Sequence, residues 1–173
     1  MLLTKGDDMY CEESEDVLRS RYETLLAEVV QQGYIVHIVH DESNFTKYYA
    51  KVSSELPLAS CRKHDNSNYI DILINEVLQN EDKDVYYATL GHELGHAFDA
   101  SSNEMEIKHM NMLRALGDQR ATDIEIQADT YGCAISKEGM KKLLTQYLDY
   151  DIKTKNNFSA KEITQRLEAI DKR

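Results

Sequence analysis

With 173 residues, the chain is long enough for one compact domain and short for two. Its 42% hydrophobic content is that of an ordinary globular protein, and a formal net charge of −11 argues against a nucleic-acid-binding surface. No stretch approaches the ~20 apolar residues that cross a bilayer, so no membrane association is expected. Met1 to Asp8 holds no apolar run of signal-peptide length. Cys11, Cys61 and Cys133 are odd in number and form no C-x-x-C. Together these features lead to the expectation of a cytoplasmic protein in a reducing compartment.

Residues 1–13 read as a loose acidic leader to a single domain covering residues 1–173. From residue 14 to 32, Val17, Leu18, Tyr22, Leu25, Leu26, Val29 and Val30 recur at helical spacing, and Gly33 supplies a stop. Residues 34–40 are rich in β-branched side chains and predict a strand. Residues 41–49 show no period and read as a loop or short helix. Residues 56–62 predict a strand that tolerates Pro57 at an edge, residues 64–68 are turn chemistry, and residues 69–75 are the clearest strand of all. The expectation is an α+β fold with a small, mostly antiparallel sheet whose hairpin feeds the next helix.

That helix, predicted over residues 84–100, contains Gly91-His92-Glu93-Leu94-Gly95-His96, one H-E-x-x-H. Four residues of α-helix turn slightly past one circle, so His92 and His96 share a face one turn apart. Two imidazoles so placed can bind one small cation. Glu93, offset by one residue, can reach a water on that cation without ligating it. Zn²⁺ is the default ion, because it favours nitrogen and oxygen donors and keeps a fourth position for water. With 6 histidines in the chain, chance would give roughly 0.02 such pentapeptides. Leu90, Leu94 and Ala97 form a second stripe suited to the core. Gly91 and Gly95 each cost roughly 1 kcal/mol of helix propensity, which close approach of a neighbouring backbone or of substrate would offset.

Helical pieces follow over about residues 107–116, 119–136 and 138–147, and a capping-box pattern, Ser159 with Glu162, precedes Ile163, Leu167 and Ile170. A third metal ligand can be sought in two patterns. A third histidine would lie six positions beyond His96, where Ser102 stands, so that pattern is excluded. The alternative, a glutamate on a second helix followed one turn later by an aspartate, is supplied by Glu125 and Asp129. Their spacing puts both carboxylates on one helical face. Glu125 would complete the ligand set, and Asp129 would accept a hydrogen bond from the outer nitrogen of a ligating imidazole. Ala128 and Gly132 are small enough for this helix to pack close to the first.

The sequence from Gly91 to His96, together with Glu125-x-x-Ala128-Asp129, resembles the gluzincin zinc metallopeptidases. It is most similar to the ImmA/IrrE family over about residues 69–136. The resemblance implies a zincin-like α+β domain, one zinc on His92, His96 and Glu125, and Glu93 as the catalytic residue. It also implies a protein or peptide substrate; some members act on repressors of mobile elements or stress regulons. Peptide hydrolysis by metal-activated water would need a second electrophile for the oxyanion, and His109, Tyr131 and His64 are the candidates. Two alternatives stand beside this reading. One is a deformylase-like amidase with Cys61 in the metal shell. The other is a zinc-containing regulatory module that binds a partner with little proteolysis.

Overall fold

The computed structural model describes residues 13–39, 59–64, 67–99, 110–154 and 160–173. Residues 1–12 of the predicted leader, the loop over residues 41–49, Pro57, His109 and Ser159 lie outside these residues. Helix α1 (Glu15–Gln31) buries Leu18, Tyr22 and Val29, while Val17 and Val30 of the predicted stripe face outward. Gly33 ends it at φ 91°, a left-handed conformation that costs glycine nothing.

Strands β1 (Ile35–Val39), β2 (Ala59–Lys63) and β3 (Tyr69–Ile74) form one sheet in the order β1-β3-β2. Ile70, Ile72 and Ile74 point from one face of β3 into the core, and Leu73 on the opposite face is buried as well. The sheet is mixed, which corrects the expectation of a mostly antiparallel one. β2 runs antiparallel to β3, with Ala59 opposite Ile74 and Lys63 opposite Ile70. β1 runs parallel to β3, with Ile35 opposite Tyr69 and Val39 opposite Leu73. Residues 40–68 between them supply the long connection that a parallel pair requires.

A single turn, α2 (Glu76–Gln79), capped by the Asn75 side chain on Val77 N–H, leads to α3 (Lys83–Asp99). α3 is the central helix. It lies between the sheet on one side and α5 on the other, with α1 packed alongside. Leu90, Leu94 and Ala97 are buried as the stripe predicts. The glycines of α3 answer to backbone, as one of the two expectations had it. A Cβ on Gly91 would stand 3.0 Å from the carbonyl oxygen of Tyr131, and one on Gly95 would stand 3.0 Å from Cα of Ala128. Both neighbours belong to α5, so α3 and α5 meet almost backbone to backbone.

Short helix α4 (Met110–Ala115) precedes α5 (Gln119–Thr154), which is broken at Ser136 (φ −149°, ψ 108°). The break falls where the sequence predicts one helix to end and another to begin. Its loose ends are satisfied on both sides. Arg21 donates to the carbonyl of Ile135 at 2.7 Å, and Ser136 Oγ accepts from Gly139 N–H at 3.0 Å. The last helix, α6 (Ala160–Asp171), packs on α5 through Ile163 and Ile170. Six helices and three strands among the described residues make the fold α+β and mostly helical. No helix among them is long and apolar enough to cross a membrane.

Candidate metal centre

His92 and His96 project from one face of α3, and Glu125 and Asp129 from one face of α5, because both pairs are spaced by one helical turn. The close helix contact at Gly91 and Gly95 brings the two faces together. His92 Nε2 and His96 Nε2 are 3.1 Å apart, with the rings edge to face. Glu125 Oε2 lies 3.2 Å from His92 Nε2, and Oε1 lies 3.7 Å from His96 Nε2. These three side chains, largely buried, form a group able to hold a metal ion.

Donors at the 2.0–2.2 Å bond lengths of zinc would stand about 3.3–3.5 Å apart at tetrahedral angles, so the observed separations bracket that edge. The chemistry of the donor set points the same way. Asp129 Oδ1 is 2.9 Å from His92 Nδ1, which holds the proton there and turns Nε2 toward the cluster. Two imidazole nitrogens and a carboxylate oxygen then converge on one point, an arrangement that a cation relieves.

Charge gives a further reason. Arg166 donates to both oxygens of Asp129, Nε to Oδ2 at 2.8 Å and Nη2 to Oδ1 at 2.7 Å, and its Nη1 is 3.2 Å from Glu125 Oε2. Arg114 Nη2 donates to Glu125 Oε1 at 2.5 Å, and Arg114 Nε donates to Glu162 Oε2 at 3.1 Å. Three carboxylates (Glu125, Asp129 and Glu162) thus contact two guanidiniums. When ionised they exceed the guanidiniums by one negative charge, which a cation between the imidazoles offsets. Burial favours the neutral form of Glu125, but Arg166 and the two imidazoles overcome it and hold this carboxyl well below its usual value. Asp129 is likewise lowered against burial, by Arg166 and His92.

Glu93 lies on the same turn of α3, buried, and accepts from the backbone N–H of Cys61 on β2. Burial raises its carboxyl to about 7, with His92 opposing and Glu125 reinforcing the rise. A group balanced near neutrality can take up and give back a proton.

The other sequence candidates lie in different surroundings. His64 Nε2 stands 2.5 Å from Asp71 Oδ2. Tyr131 packs its ring on Phe98, beside Gly95. Cys61 reaches the site through its backbone; its thiol is pushed up by burial and is not part of the group that could hold an ion. Sequence reasoning missed Arg166, Arg114 and Glu162 as members of the site. For Arg166 a signal was present: it falls on the inward face of α6 between Ile163 and Ile170, where an arginine needs a buried partner.

No family model, no curated protein and no solved structure matches the chain. The function must therefore be argued from the site itself and from the motif pair that builds it.

Proposed function

We propose that the chain is a zinc-dependent metallopeptidase of the gluzincin type, similar to the ImmA/IrrE family, that hydrolyses peptide bonds in a regulatory protein such as a repressor. The observation that carries this reading is the convergence of His92, His96 and Glu125 on one point with Glu93 buried on the same turn of α3. The geometry supports the ion and the base. The peptide substrate follows from the resemblance of the two motifs.

His92, His96 and Glu125 would hold the ion. When bound, zinc would supply Lewis acidity, drawing the pKa of a water toward about 7 and polarising the scissile carbonyl. Glu93 takes the proton of the attacking water on its carboxylate and delivers it to the leaving amine nitrogen. The N–H of Cys61 keeps that carboxylate aimed at the site. Asp129 holds the Nδ1 proton of His92 so that Nε2 remains a donor. Among the described residues three donors, rather than four, converge, which would leave room for water and substrate as in a catalytic zinc site.

The test uses zinc-loaded wild type and Glu93→Gln against a peptide library digested from a whole proteome. The wild type should cut, and Glu93→Gln should retain zinc while losing at least about 10²-fold in rate, the scale of a lost general base. Full turnover in Glu93→Gln would overturn the assignment. Retention of a protein partner without cleavage would favour the binding-module alternative.

A further inference from the structure

We propose that Arg166, on the last helix, is the positioning residue of this metal centre, clamping Asp129 and Glu125 so that His92 and Glu125 present their donors to one point. The inference rests on the metal reading above and adds a requirement that the ligand motifs do not contain. A carboxylate held by one hydrogen bond can swing about its Cβ–Cγ bond. Asp129 cannot, because Nε and Nη2 of Arg166 engage its two oxygens in parallel at 2.8 and 2.7 Å. The oxygen that takes Nη2 also faces the ring nitrogen of His92 at 2.9 Å. The plane of the guanidinium thereby sets the plane of the carboxylate, and the carboxylate sets the imidazole.

The third nitrogen of the same group, Nη1, is 3.2 Å from Glu125 Oε2, the oxygen that stands 3.2 Å from His92 Nε2. One rigid planar side chain thus touches the support of one donor residue and the carboxylate of another. A lysine, with a single ammonium on a flexible stem, could not make these contacts together. Arg166 is only 5% exposed, so its position is set by the packing of α6 on α5. Arg114 shares the contact with Glu125 but not the clamp on Asp129, and it is less buried. Its side chain is one third exposed, and it engages Glu125 and Glu162.

The experiment compares wild type, Arg166→Lys, Arg166→Met, Asp129→Asn and the double variant Arg166→Met/Asp129→Asn. Circular dichroism establishes folding, chelator competition gives the zinc dissociation constant, and the visible spectrum of the cobalt-loaded protein reports ligand geometry. Arg166→Met should bind zinc about 10–100-fold more weakly and lose intensity in the tetrahedral cobalt bands, as removal of such supporting contacts does. Arg166→Lys should fall between it and wild type. In the Asp129→Asn background the same Met substitution should cost a clearly smaller factor, because its main route is gone. Equal costs in the two backgrounds, or wild-type affinity and spectrum in folded Arg166→Met, would overturn the proposal.

If Arg166→Met does not fold, the decision falls to Arg166→Lys, which retains the charge; wild-type affinity and spectrum in that variant would overturn the proposal. A folded wild type that binds no zinc would overturn the metal reading and this inference together. Tight wild-type binding with indifferent Arg166 variants would overturn the inference alone.

Discussion

Two imidazole nitrogens 3.1 Å apart, backed by a carboxylate, hold a positive charge between them. In the absence of metal that charge is a proton on His92. Burial disfavours the imidazolium, but hydrogen bonds to Asp129 and Glu125 prevail and raise His92 to about 10. His96 is pushed the other way by burial, to about 4, and stays neutral. Zinc must then expel one proton from His92 at any pH below about 10. Apparent zinc affinity should therefore rise at least about tenfold per pH unit between about pH 7 and 9. Chelator competition across that range measures it, and a flat profile would contradict the protonation scheme. His92, Glu93, His96, Glu125 and Asp129 were legible in the sequence because each pair is separated by a helical turn or less. Arg166 pairs with a residue 37 positions away, and Arg114 with one 48 positions away, and no local period encodes such partners.

Helices α3 and α5 deliver the ligands, and their separation is set by residues without side chains. A Cβ on Gly132 would stand 2.8 Å from the carbonyl oxygen of Ala88 and closer still to Met140. Gly132→Ala should gain about 1 kcal/mol of helix propensity yet lose about 1–3 kcal/mol to overpacking, for a net loss of stability. Urea unfolding decides the sign, and a midpoint at or above that of wild type would show that the helices can part without cost. At this scale the sequence was readable where periodicity or punctuation was strong. The stripe of Leu90, Leu94 and Ala97, the stop at Gly33 and the boundary at Ser136 all appear in the structure. The direction of β1 was not readable, because strand composition is blind to whether a neighbour runs parallel. The length of residues 40–68 permits a parallel pair without requiring one. The turn at α2 escaped notice because four residues are too few to show a period.

Across the whole molecule, the proposed centre joins α3 to α5 through the ligands and α5 to α6 through Arg166. An ion bound there, and absent from the unfolded chain, should stabilise the fold. At a free zinc concentration one hundred times the dissociation constant the gain is about 2.7 kcal/mol, or roughly 5–11 °C in Tm for a chain of this size. Thermal unfolding with added zinc and then with excess chelator measures this. An unchanged Tm would mean that the three helices need no ion to stay together. His92, His96 and Glu125 of the proposed centre should bind one ion together. The metal content and zinc affinity of purified wild type beside Glu125→Ala measure this. One tightly held zinc per wild-type chain is expected, lost or strongly weakened in the variant. A folded wild type that takes up no zinc after supplementation, or a Glu125→Ala variant that holds it equally well, would contradict this expectation.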